Sequence, residues 1–154
     1  MFNESRIDIY DYIYGLVYGV VSNNVYRMGE PVETTESDTT NGFVVISVGN
    51  MNDDSEFICD AYGWVRCSIM AFVPKKSRGR LNKTLYKSFE TSINQVVKNA
   101  MLQNDASYYI SGDDVLSMDS DEITQKGNQY HVYIKSFVVV IDGHIEDNSE
   151  TQET

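Results

Sequence analysis

Cysteine and histidine are nearly missing from this chain: its 154 residues include only Cys59 and Cys67, and only His131 and His144. Two cysteines are too few for a disulfide framework, and with two scattered histidines they offer no ligand spacing for a structural zinc site. No metal or cofactor is expected. Cations are scarce as well. Twelve Lys and Arg stand against 23 Asp and Glu, a formal net charge of -11, which argues against a surface built to neutralise phosphates and against free nucleic acid as a partner. No apolar run approaches the roughly 20 residues of a membrane span. The N-terminus MFNESRIDIYDY has neither the basic start nor the apolar centre of a signal peptide, so a cytosolic chain with no membrane partner is expected. At 42% hydrophobic and 23% charged, the composition is that of a single globular domain. It is read as one α+β domain over residues 1–142 followed by an acidic polar tail, 143–154.

Periodicity supplies the elements. Over residues 5–21 a helical repeat puts Ile9, Ile13, Leu16, Val17 and Val20 on one side, with Ser5 as N-cap. Ile7, Tyr14, Tyr18 and Val21 continue the apolar arc, which is wider than one sheet can cover. Tyr14 and Tyr18 are therefore candidate contacts to another subunit, the alternative being tyrosine tips that simply reach water. Val25 to Met28 is a short strand candidate, followed by Gly29-Glu30-Pro31 and a polar loop from Glu33 to Asn41. Phe43 to Val48 reads as a strand closed by the turn-rich stretch Gly49 to Asp54. Glu56 to Val73 alternates Val65, Cys67, Ile69, Ala71 and Val73 against Trp64, Arg66, Ser68, Met70 and Phe72, with a possible break at Tyr62-Gly63, and ends at Pro74. Residues 81–102 form an amphipathic helix through Leu81, Leu85, Phe89, Ile93, Val96 and Ala100. Tyr108 to Ile110 and Val115 to Met118 are short strand candidates, and Gln129 to Ile141 is a long one, expected to be central because both of its faces become apolar after Ser136. The order predicts an α+β domain with an antiparallel or mixed sheet, the N-terminal helix and one long central helix packed on one face.

Chemistry-bearing motifs are few. Ser111-Gly112-Asp113-Asp114 resembles a metal-binding aspartate pair, yet a turn explains it with less, since a polymerase site needs a further carboxylate and a far longer chain. Asp119, Asp121 and Glu122 fail the calcium-loop spacing, which would place Thr124 and Tyr130 where glycine and glutamate are needed, so this stretch is expected to be a solvated loop. Cys59 and Cys67 would face each other only if residues 56–73 folded as a hairpin centred on Gly63, and a reduced pair is the expected state. No catalytic residue is assigned.

Charge placement is the sharpest feature. Lys75, Lys76, Arg78, Arg80, Lys83 and Lys87 put six of the twelve basic residues into one short segment of an acidic chain. Lys75, Lys76, Arg78 and Arg80 are assigned with Tyr14 and Tyr18 as oligomer-interface residues. An acidic partner, most simply another copy of the chain or a neighbouring acidic subunit, is the functional reading. A solvated loop is the structural one, and direct DNA contact stays open.

The N-terminal helix, the segment Val25-Tyr26-Arg27-Met28-Gly29-Glu30-Pro31, the strand Gly42-Phe43-Val44-Val45-Ile46, the long strand Trp64 to Val73 running into an amphipathic helix, and the last strand Tyr130 to Ile141 together resemble the small tail-terminator, tail-completion and neck proteins of tailed bacteriophages. The resemblance spans about residues 5 to 141 and rests on element order and hydrophobic pattern. It implies a non-enzymatic virion subunit, assembled in the host cytoplasm, that forms a ring of copies, commonly hexameric, between portal or connector and tail. DNA would pass through its channel without sequence-specific contact. The loop Glu33 to Asn41, the acidic stretch Asp113 to Glu122 and the tail after Asp142 are additions that a minimal terminator need not carry, so a neck ring fits equally. A monomeric binding or adaptor domain is the alternative from another class, and a small enzyme a more distant one.

Overall fold

Two periodicities, two residues in the strands and 3.6 in the helices, build one sheet with helices on one side. The computed structural model describes residues 6–28, 41–53, 62–102, 108–125 and 128–142. In chain order these form α1 (Arg6–Val17), β1 (Val25–Arg27), β2 (Phe43–Asp53), β3 (Tyr62–Pro74), a 3-10 turn (Ser77–Gly79), α2 (Lys83–Met101), β4 (Tyr108–Gln125) and β5 (Asn128–Asp142). The five strands lie in the order β1-β2-β3-β5-β4. β1 runs parallel to β2, and every other pairing is antiparallel, so the sheet is mixed and the fold is α+β.

β3 and β5 are the middle of it. Their pairing is continuous from Tyr62↔Asp142 to Pro74↔Tyr130, and Val65, Cys67, Ile69, Ala71 and Val73 on β3 are all buried beneath the helices. α2 begins where the Asn82 side chain accepts a hydrogen bond from the Leu85 N–H, and it buries Phe89, Ile93, Val96, Val97 and Ala100. α1 lays Ile9, Ile13 and Val17, each fully buried, on the same face of the sheet. Burying three such aliphatic side chains stabilises the docked helix by about 1.5 to 3 kcal/mol apiece.

Several expectations are corrected. The first helix stops at Val17 and does not run to Val21, because Gly19 takes φ +79, the left-handed conformation that ends helices. Val20, expected on the core face, is 64% exposed in the turn that follows. β2 continues to Asp53 through an irregularity between Val48 and Met51, where a closing turn was expected from Gly49 onward. Residues around Gly63 form no hairpin: Gly63 pairs with Asp53 on one side and Ile141 on the other, inside an uninterrupted β3. Cys67 therefore lies opposite Val48 and Phe137. Ser111-Gly112-Asp113-Asp114 is not a turn between two short strands, and Asp119 to Glu122 is not a loop. Both belong to the single strand β4, whose register against β5 shifts between Ser111 and Leu116 and between Ser120 and Ile123. Ser5, Gly29 to Thr40, Cys59 and the tail 143–154 with His144 lie outside the described residues.

One glycine is required by both space and conformation. Gly42, at φ +78, is buried where a Cβ would run into the Phe72 carbonyl oxygen and stand 3.1 Å from the Phe89 ring. Gly19 has a similar φ with nothing within 4 Å. Gly42→Ala should therefore destabilise by about 3 kcal/mol, from strain and overpacking together, and Gly19→Ala by about 1 kcal/mol from strain alone. Urea unfolding of the two variants checks this, and equal losses would contradict the close approach at Gly42.

Candidate assembly surface

The first helix is held by a residue from the edge strand. The Arg27 guanidinium lies 5.7 Å from the Tyr14 ring centre and 6.0 Å from that of Tyr10 and forms an ion pair with Asp11. Tyr14 is half-buried against the core and stacks on Tyr18, with ring centres 5.2 Å apart and planes 13° from parallel. The structure thus brings Tyr14 and Tyr18 together but gives them different duties. Tyr14 helps to seat the helix, whereas Tyr18, 48% exposed, shares its stripe with Ile7, 52% exposed.

Lys75, Lys76, Arg78 and Arg80 occupy the connection that leaves Pro74 and enters α2. Lys76, Arg78 and Arg80 are exposed and Lys75 is half-buried. The Lys76 N–H donates to the Arg80 carbonyl at 2.8 Å, and the Gly79 N–H donates to the Lys76 carbonyl at 3.0 Å. Closing so tight a turn forces Arg78 to φ 63, beside Gly79 at φ 72. An arginine in that region costs about 1 to 2 kcal/mol that glycine would not. Among the described residues, no carboxylate lies within ion-pair distance of these four side chains or of Lys83 and Lys87.

The second face of the sheet was not anticipated. Phe43 and Phe72 stack with ring centres 4.7 Å apart, and Tyr130 meets both edge-on at 5.3 and 5.9 Å. Val45 and Val132 complete this cluster, with Tyr26, Met70 and Ile134 at its margin. Beyond it the face opens. Ser68 and Ser136 hydroxyls sit 3.1 Å apart across the β3–β5 pair, and on β4 Leu116 and Met118, opposite Ser136 and Ile134, are 55% and 46% exposed. Neither described helix packs on this side. The signal was present in the sequence as the second parity of β3, in Trp64, Met70 and Phe72, but its partners come from strands distant in the chain.

A polar cluster ties α2 to the other face. The Tyr133 hydroxyl lies 2.7 Å from Asn94 Oδ1 and 3.0 Å from Ser117 Oγ, which also accepts from Lys135 Nζ at 2.8 Å. Tyr133 and Ser117 line a cleft of about 240 Å³ with Tyr86, Glu90 and Met118. Burial pulls the Lys135 ammonium below its ordinary value, and the Glu90 carboxylate opposes that shift. Chemically the cleft offers one carboxylate and hydroxyls bound to each other, with the Lys135 ammonium held on Ser117 beside it. Among the described residues, no group of three or more His, Cys, Asp and Glu stands close enough to hold a metal ion. No described helix is long and apolar enough to cross a membrane. No protein-family model matches the chain, and no curated protein matches it either.

Burial pushes the Cys67 thiol from 9.0 up to about 12. The native state therefore keeps a proton that the unfolded chain releases. The stability this confers is complete below pH 9 and is lost as pH rises toward 12, at up to about 1.4 kcal/mol per pH unit. The stability difference between wild type and Cys67→Ala, from urea melts at pH 8 and pH 10.5, should shrink at the higher pH. An unchanged difference would mean that the thiol is not buried. On the helix, Tyr14→Ala should destabilise the folded chain by about 1 to 2 kcal/mol and Tyr18→Ala by about 0.5 kcal/mol or less, a ranking that thermal melts will read.

Proposed function

We propose that this chain is a structural subunit of the head–tail region of a tailed bacteriophage: a neck or tail-terminator ring that joins portal or connector to tail and surrounds the passage of the genome. One observation carries the reading. A small acidic domain holds a strained, exposed turn whose cations have no ion-pair partner among the described residues and, separately, exposed Leu116 and Met118 on the sheet face away from the helices. Such surfaces suit a chain whose contacts lie in copies of itself and in neighbouring portal, connector or tail proteins.

The element order and the single helical layer fit the phage neck and terminator resemblance. The net charge of -11 also suits a channel that DNA traverses, because like charge leaves phosphates without sequence-specific or lasting contacts. In this role the chain resides in the virion after assembly in the host cytoplasm, performs no catalysis and needs no cofactor.

Light scattering and negatively stained images of the purified chain test the reading. A closed ring with a central opening, at an integral multiple of the 17.5 kDa subunit, is expected. A 17.5 kDa monomer at every concentration would overturn it and leave a monomeric binding or adaptor domain.

A further inference from the structure

We propose that Asn41 is a site of spontaneous covalent modification in the folded chain, where ring closure onto the Gly42 nitrogen turns the asparagine into aspartate and isoaspartate. Asn41-Gly42 is the only Asn-Gly step in the sequence, and every other asparagine is followed by a residue that carries a side chain. Asparagine is among the thermally labile residues of proteins. Its loss is limited by how closely the side-chain Cγ can approach the next backbone nitrogen. Glycine at that place has no Cβ to obstruct the approach and the widest choice of backbone angles.

The fold requires the glycine and leaves the asparagine side chain in water. Gly42 is buried at φ +78, where a Cβ would run into the Phe72 carbonyl oxygen, so no other residue fits. Its carbonyl accepts a hydrogen bond from Asn24 Nδ2 at 3.4 Å, and the Asn24 carbonyl accepts from the Val44 N–H at 2.9 Å. These bonds fix the carbonyl side of Gly42 at the entry to β2. On its nitrogen side Asn41 is exposed, and among the described residues no hydrogen bond holds its amide. An exposed side chain of this kind changes rotamer without any unfolding. A mobile amide thus stands beside a nitrogen that no permitted substitution at position 42 can shield.

The reaction needs only water and dissolved base. Base takes the Gly42 amide proton as the nitrogen attacks Asn41 Cγ. The N–Cγ bond forms, the Cγ–Nδ2 bond breaks, and ammonia leaves. Water then opens the five-membered succinimide. Opening at Cγ gives aspartate with the original backbone. Opening at the main-chain carbonyl gives isoaspartate, in which the backbone runs through Cγ and is one methylene longer. Nothing is oxidised or reduced, and either product adds one negative charge.

Peptide mapping of the wild-type chain, held folded at pH 8 and 37 °C, tests this. The peptide bearing Asn41 should gain about 1 Da before any other asparagine peptide does, and about 3 Da when the solvent is ¹⁸O-labelled water. Two products of equal mass should separate by chromatography, because the ring opens at either carbonyl. The rate should lie within about tenfold of that in urea, since an exposed position reacts without global opening. Asn41→Gln should remove the gain, because the larger ring closes far more slowly, and should leave the urea midpoint unchanged. A gain seen only in urea would overturn the inference by showing that the fold shields the amide. Earlier reaction of a different asparagine would overturn it too, by showing that the Gly42 nitrogen is held out of reach. A lowered midpoint in Asn41→Gln would count against it by revealing a contact that holds the side chain.

Discussion

Burial of one face of β3 is the constraint on which the rest of the structure depends. Val65, Cys67, Ile69, Ala71 and Val73 need a cover, and α1 and α2 together supply it from the same side. Once that choice is made, the second parity of β3 meets neither described helix. Phe72 finds Phe43 and Tyr130 instead, and the face thins out toward Leu116 and Met118 on β4. Among the described residues a single helical layer lies on the five-stranded sheet, and Leu116 and Met118 stay exposed on its other face.

The same constraint fixes the cationic turn. β3 ends at Pro74 and α2 must fold back over the sheet from there. The connection has to reverse within a few residues, which puts Arg78 at φ 63 and directs a run of cations out from the end of the sheet. Arg27 shows the contrasting case. Its guanidinium is taken up by Asp11 and two tyrosine rings and fastens α1 to the edge strand. Arg27 and Lys135 are thus bound within the fold, whereas Lys76, Arg78 and Arg80 are exposed.

Much of this architecture was legible in the chain because it depends on local pattern. α2 was visible from one clean apolar face, and β3 from strict alternation ending at proline, whereas the Asn82 cap emerges only in the structure. The first helix was drawn too long because Gly19 could sit inside a helix or end one, and only its left-handed backbone decides which. β4 was divided because Ser-Gly-Asp-Asp has the same chemistry in a turn and in an irregular strand; pairing with β5 on both sides of it keeps it within one strand. The basic residues of the candidate surface were identifiable from spacing alone, and their common place on one strained turn was not. Of the aromatic cluster only Phe72, on the second parity of β3, was visible beforehand, since Phe43 and Tyr130 come from strands far from it in sequence.

The central claim is that one face of β3 is buried beneath both helices while the other side of the sheet meets neither of them. Urea unfolding of Ile69→Ala and Leu116→Ala addresses it directly, because Ile69 is fully buried on the helix side and Leu116 is 55% exposed on the other. A loss of about 2 to 5 kcal/mol for Ile69→Ala and of about 0.5 kcal/mol or less for Leu116→Ala is the expected result. Equal losses in the two variants would contradict it.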